Sequence, residues 1–81
     1  MEKSKLAATI KDLLRKKGPM TCDQLAYNIN TDENIQNKYG VNSNEVRWMF
    51  EHHADLRRTV QREITLSWRC RNRIYRYRVR Q

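Results

Sequence analysis

The chain has 81 residues, of which 38% are hydrophobic and 32% charged, with two glycines and one proline. A chain of this length supports one hydrophobic core, so we expect residues 1–81 to form a single folded domain rather than a disordered tail. No apolar run reaches the roughly 20 residues of a transmembrane helix, and the first residues lack the apolar segment of a signal peptide. These features predict a cytoplasmic protein without a membrane partner.

The formal net charge of +8 comes entirely from the last third of the chain. Residues 1–56 contain eight basic and eight acidic side chains, whereas residues 57–81 contain nine arginines and a single acidic residue, Glu63. Arginine stays charged at any relevant pH, and its planar guanidinium suits bidentate contact with phosphate and with guanine. Such a localised positive field indicates docking on a polyanion. The alternative, a charged hairpin that only keeps the protein soluble, would normally mix charge signs.

Two helices are predicted in the first third of the chain. The first covers about residues 4–17 and ends at Gly18-Pro19. Thr21 and Gln24 have the spacing of a capping box and begin a second helix that ends near residues 28–30. Met20, between the helices, is expected to act as a bridging residue or minimal strand. The inward face of the first helix is formed by Leu6, Ala7, Ile10, Leu13 and Leu14.

A third helix is predicted from about residue 43 to residue 53. Asn42 and Glu45 again have capping-box spacing, and the inward positions of the helix are Val46, Met49, Phe50 and His53. The polar segment from residue 30 to residue 41 is too long for a tight turn. We expect it to form one or two helical turns with Ile35 and Tyr39 facing the core, closed by Gly40.

After Leu56 the apolar pattern alternates, which predicts a β-hairpin. With a turn at Arg71-Asn72, the opposing pairs are Cys70 with Arg73, Trp68 with Tyr75, Leu66 with Tyr77, and Ile64 with Val79. The apolar pairs then share one inward face, and a slip by one residue would destroy that agreement. The opposite face would carry Thr65, Ser67, Arg69, Ile74, Arg76 and Arg78.

Three helices followed by a hairpin is the element order of the winged helix-turn-helix. The run Lys16-Lys17-Gly18-Pro19-Met20-Thr21, followed by Leu25-Ala26, resembles the entry into this motif in many bacterial and phage regulators, and residues 73–79 resemble their last wing strand. The resemblance covers essentially the whole chain through short motifs. It implies an α+β winged-helix fold, with three helices and a C-terminal hairpin wing, and a transcriptional regulator that binds double-stranded DNA without a cofactor.

The resemblance also implies which residues contact DNA. In a helix-turn-helix the second helix of the motif enters the major groove, here residues 43–53, and the wing at about residues 64–79 contacts the backbone or the minor groove. Arg47 suits guanine, Asn44 suits adenine and Ser43 suits a phosphate. The predicted DNA-binding residues are Ser43, Asn44, Arg47, Trp48, Glu51, Arg69, Arg71, Arg73 and Arg76, with Lys16 and Lys17 as further backbone contacts.

Some of these residues have an equally good structural explanation. Ser43 is suited to capping the helix, and Lys16 and Lys17 are suited to the negative end of the first helix dipole. Trp48 is as well suited to a core position or to an oligomer contact as to DNA, because an exposed tryptophan is costly without a partner.

The sequence gives little support to an enzyme or a metal site. His52 and His53 are adjacent, so on a helix they point about 100° apart, and no cysteine or carboxylate pattern completes a zinc site. A Gly-rich phosphate loop is absent, and the chain is too short to enclose a substrate pocket. Cys22 and Cys70 are expected to be buried apolar residues rather than a disulfide.

Three other functions remain open. Tyr75 and Tyr77 alternate with arginines, as in proteins that stack RNA bases, although the hairpin pairing turns both inward. An accessory protein would bind a host protein such as RNA polymerase through the basic hairpin. An architectural protein, like the basic winged-helix excisionases, would bend DNA and bind random DNA almost as tightly as a selected site. A homodimer, or a complex with a transcription or recombination protein, also remains open.

Overall fold

Four helices precede two antiparallel strands in residues 2–32, 40–66 and 73–80, the residues that the computed structural model of the chain describes. The predicted α+β class is confirmed, with one helix more than the three predicted. The elements in chain order are α1 (Lys3–Lys17), α2 (Cys22–Thr31), α3 (Ser43–His52), α4 (Ala54–Thr59), β1 (Val60–Leu66) and β2 (Arg73–Val79).

α1 follows the predicted apolar stripe and ends at Gly18. All five predicted inward side chains are buried. The Gly18 N–H donates to the Leu14 carbonyl oxygen at 3.0 Å, and Gly18 has a φ of 82° and a ψ of −163°. Only glycine adopts this backbone conformation without strain, so Gly18 can turn the chain away from the helix towards Met20.

Met20 connects the helices to the hairpin. Its N–H donates to the Tyr77 carbonyl oxygen at 3.1 Å, and its own carbonyl oxygen accepts from the Tyr77 N–H at 2.8 Å. This antiparallel bridge confirms the minimal strand predicted at Met20. It also holds the middle of β2 beside the start of α2.

α2 begins with the predicted capping box. The Gln24 N–H donates to Thr21 Oγ1 at 3.1 Å, and the Thr21 N–H donates to Gln24 Oε1 at 3.0 Å. The helical turns predicted around Ile35 and Tyr39 lie outside the described residues, because the description stops at residue 32 and resumes at residue 40.

α3 buries three of its four predicted inward residues, whereas the fourth, His53, is half-buried and follows the end of the helix; α4 comes next and has no predicted counterpart. Asn42 Oδ1 accepts from the Glu45 N–H at 2.8 Å and caps α3. His53 has a φ of −78° and a ψ of 119°, which separates the two helices. Leu56 is the buried residue of α4, and a helix of six residues with one buried side chain has too little periodicity to be detected. The buried side chains of α3 are Val46, Met49 and Phe50.

The pairing of the hairpin strands differs from the predicted one. Tyr77 lies opposite Arg62, where the prediction placed Leu66, and every other described pair is displaced by the same four positions. The predicted register is therefore wrong, and the turn at Arg71-Asn72 from which it was derived lies outside the described residues. A displacement by an even number keeps each side chain on its predicted face of the sheet but changes its partner.

The displacement moves the core towards the start of β1. Val60 and Tyr77 are each only 7% exposed, whereas Ile64 and Leu66, predicted to be buried, are 53% and 68% exposed. The Phe50 and Tyr77 rings stack with centroids 3.9 Å apart and an angle of 4° between their planes. The hairpin is thus packed on α3 near its base, and its inward face extends beyond the helices.

An ion pair connects α1 with α4 at the edge of this core. Lys11 Nζ lies 2.5 Å from Asp55 Oδ2, and Arg58 approaches the other oxygen of the same carboxylate at 3.4 Å. Within residues 2–32, 40–66 and 73–80, no helix is both long enough and apolar enough to cross a bilayer.

Candidate nucleic-acid interface

The outward face of α3 carries Asn44, Arg47 and Glu51, which are exposed and recur at spacings of three and four residues. They lie opposite the buried side chains of the helix. The capping role considered for Ser43 belongs to Asn42, and Ser43 is half-buried at the first helical position. The helix therefore presents a polar face with hydrogen-bond donors and acceptors to its surroundings.

Trp48 lies one turn after Asn44, at the edge of the outward face of α3 that is nearer to α1, and it is not a core residue. Its side chain is 42% exposed. The Lys3 ammonium lies 4.2 Å from the centre of its ring, and the His52 ring centre lies 5.0 Å away. Trp48 therefore contacts the start of α1 rather than the hairpin.

A cleft of about 240 Å³ lies between α3, β2 and the start of α2, and we call it the first cleft. Arg47 enters it from α3 and Arg73 from β2, while Tyr75 and Tyr77 form part of its wall. Two arginines that are 26 positions apart in the sequence therefore meet beside the outward face of α3. This is the one place where the described residues bring a predicted helix contact together with a predicted hairpin contact.

The first cleft carries a net positive charge, because Arg47 and Arg73 face a single carboxylate in its lining, that of Asp23. Burial raises the pKa of the Cys22 thiol, although the charge of Arg47 opposes this effect. Burial and the neighbouring Cys22 raise the pKa of the Tyr77 hydroxyl. Both groups are neutral near pH 7, so Arg47 faces a neutral thiol rather than a thiolate. Cys22 is buried, as expected, and Cys70 lies outside the described residues.

Other predicted contact residues lie elsewhere or outside the description. Arg76 lies opposite Glu63 on the other face of the hairpin, and Glu63 also forms an ion pair with Arg78. Arg76 does not line the first cleft. Arg69 and Arg71 lie outside the described residues.

The lysines that end α1 also lie away from the first cleft. Lys16 Nζ is 3.4 Å from Asp12 Oδ2, and Lys17 Nζ donates to Asn28 Oδ1 at 2.5 Å. Both lysines belong to the last turn of α1, and each has a side-chain partner within the protein.

A second cleft, of about 410 Å³, contains three arginines that the sequence analysis did not single out: Arg57, Arg62 and Arg80. Its floor includes the stacked rings of Phe50 and Tyr77. The three arginines were part of the charge excess after residue 56, but their convergence depends on α4 and on the strand register. Neither feature was predicted, so the sequence carried no signal for this cluster.

Among residues 2–32, 40–66 and 73–80, no group of three or more His, Cys, Asp or Glu side chains is placed to hold a metal ion. Comparisons of the chain with protein-family models, with curated proteins and with solved structures find no match. The chemistry of the α3 face and of the two clefts is therefore the basis for a functional proposal.

Proposed function

We propose that the chain is a cytoplasmic winged-helix protein that binds double-stranded DNA, with α3 in the major groove and the β1–β2 hairpin as its wing. The observation that carries the proposal is the convergence of Arg47 and Arg73 on the first cleft beside the outward face of α3. Among the ion pairs of the described residues, none involves either arginine. Neither guanidinium group is neutralised by a paired carboxylate, although Asp23 lines the same cleft and the Cys22 side chain hydrogen-bonds with Arg47, so both can bind an anion.

The order of the elements supports the same proposal. The three predicted helices and the short α4 lead into a hairpin, Met20 adds a one-residue strand beside β2, and Tyr77 fixes β2 on α3 through its stack with Phe50. An α-helix fits the major groove, where Asn44 and Arg47 are suited to adenine and guanine edges. Arg73 then lies on the side of the helix where the DNA backbone would pass.

Single-stranded RNA is less well supported by the contacts of the two tyrosines. Tyr77 is buried beneath Phe50, and the Arg62 guanidinium lies 5.0 Å from the centre of the Tyr75 ring. Stacking of RNA bases requires exposed aromatic faces. We therefore propose duplex DNA rather than RNA as the ligand, and a competition between the two in one binding assay separates them.

The test compares Arg47→Gln with Arg58→Gln. Both variants lose one positive charge from a helix surface, but Arg58 is 80% exposed on α4 and lines neither cleft. If Arg47 contacts DNA, Arg47→Gln weakens binding to a short random duplex by roughly 5- to 150-fold, which corresponds to about 1–3 kcal/mol for a lost contact. Arg58→Gln should change affinity less than about twofold. Equal losses in the two variants, or no binding by the wild-type chain, would contradict the proposal.

The same titration followed by NMR locates the interface. Amide shifts at residues 42–51 and 73–78 that weaken as salt rises are expected, because phosphate contacts release counterions. Affinity for a selected site far above that for random duplex would favour a regulator, and near-equal affinities would favour an architectural protein.

A further inference from the structure

The second cleft brings together three guanidinium groups that the α3 face and the first cleft do not use. Arg57 comes from α4, Arg62 from β1, and Arg80 follows β2. Glu51 is the one carboxylate in the lining. None of the three arginines takes part in an ion pair within residues 2–32, 40–66 and 73–80.

Each of these arginines is attached to a fixed piece of backbone. The Arg80 N–H donates to the Thr59 carbonyl oxygen at 2.8 Å, which holds the end of the hairpin against the end of α4. Arg62 stacks on Tyr75, and Arg57 belongs to α4. Three like charges on one cleft repel each other, and a bound anion removes that repulsion. The second cleft is thus preorganised to bind a negatively charged group.

The two clefts lie side by side along α3. Tyr77 lines both of them, Arg47 lines the first and Glu51 the second. Four residues along an α-helix correspond to about 6 Å. Arg47 and Glu51 are thus one helical turn apart, so a DNA strand that follows α3 past the first cleft would also pass the second.

We propose that the second cleft binds a backbone phosphate of the same DNA strand that passes the first cleft. This inference rests on the proposed function and extends the contacted backbone beyond the helix and wing to α4 and the end of β2. Arg57 and Arg80 would contact the phosphate oxygens from two sides. Arg62, on β1, would add a third positive charge to the same cleft.

The test measures the salt dependence of duplex binding for Arg57→Gln/Arg80→Gln against the control Arg58→Gln/Lys5→Gln. Both double variants lose two exposed positive charges, but Arg58 and Lys5 lie outside the cleft. Each lost phosphate contact lowers the slope of log affinity against log salt by about 1. Since the cleft is proposed to bind one phosphate, we expect the cleft variant to lose about 1 from this slope and the control to keep the wild-type slope. Circular dichroism and thermal melts show whether both variants are folded.

The single variant Arg57→Gln repeats the test on α4 alone, since Arg58 next to it is the matched control. Wild-type binding that is weakened by Arg47→Gln, together with a cleft variant that matches its control, would overturn this inference alone. Failure of the wild-type chain to bind duplex DNA would overturn the proposed function and this inference with it.

Discussion

The side-chain amide of Asn30 pairs with the backbone of Val41 through two hydrogen bonds. Asn30 Nδ2 donates to the Val41 carbonyl oxygen at 2.7 Å, and the Val41 N–H donates to Asn30 Oδ1 at 2.7 Å. The amide thus takes the place of a neighbouring strand for a residue that is only 4% exposed. It fastens the end of α2 to the residues that lead into α3 and so fixes the angle between them.

We expect Asn30→Ala to destabilise the protein by about 1–3 kcal/mol, because it leaves both buried backbone groups of Val41 without the amide partner. Urea denaturation followed by circular dichroism measures the loss. Asn44→Ala is the control, since Asn44 is exposed on α3 and the change should alter stability by less than about 0.5 kcal/mol. Equal effects of the two substitutions would show that the pairing with Val41 contributes nothing.

Gly18→Ala is expected to destabilise the protein for a different reason. A Cβ at Gly18 would meet no heavy atom within 4 Å, so packing does not oppose it, but the φ of 82° does. Holding alanine in this conformation costs about 1–3 kcal/mol, which lowers the melting temperature of a domain of this size by several degrees. Lys17→Ala, one residue earlier and inside α1, is the helix control. A melting temperature unchanged by Gly18→Ala would mean that the turn adapts.

Asp55 should make stability depend on acid pH. Its hydrogen bond with Lys11, opposed by partial burial, holds the pKa of the Asp55 carboxyl below its ordinary value. The stabilising effect is therefore fully present above about pH 3.9, the ordinary aspartate value, and is lost as the pH falls through the lower pKa of the folded state. The advantage of the wild type over Asp55→Asn should shrink below about pH 4.

Urea denaturation from pH 3 to pH 7 measures that difference. Asp12→Asn is the matched control, because the Asp12 pair with Lys16 is longer, at 3.4 Å, and exposed on the surface of α1. At pH 7, Asp12→Asn should therefore lower the free energy of unfolding by less than Asp55→Asn does. If the wild type and Asp55→Asn differ by the same amount at pH 3 and pH 7, the ion pair with Lys11 does not control the acid response.

The helices could be predicted from the sequence because their signals are local. Apolar spacing located α1 and α3, and the Thr21 and Gln24 pair located the start of α2. The same reasoning placed Arg47 on the outward face of α3. It could not bring Arg47 next to Arg73, since that meeting depends on contacts between distant segments.

The hairpin register could not be fixed in this way. Alternation determines which face a side chain occupies, so it excludes a slip by one residue but does not distinguish registers that differ by four. The assumed turn chose one of them by pairing Leu66 with Tyr77. In the structure, α4 leads directly into Val60, and Val60 rather than Ile64 lies opposite Val79. The missed helix and the wrong register therefore have the same cause, because α4 sets where β1 begins. The position of Arg62 depends on both.

Two truncations on β1 distinguish the observed register from the predicted one. Val60→Ala should cost about 1–3 kcal/mol because Val60 is 7% exposed, whereas Leu66→Ala should cost less than about 0.5 kcal/mol because Leu66 is 68% exposed. The predicted register reverses this order, since it places Leu66 against Tyr77 in the core. Chemical denaturation measures both costs, and NMR contacts between Ile64 and Tyr75 provide a direct check of the pairing. A larger loss for Leu66→Ala would mean that the strand pairs four residues further along, which would also remove Arg62 from the second cleft.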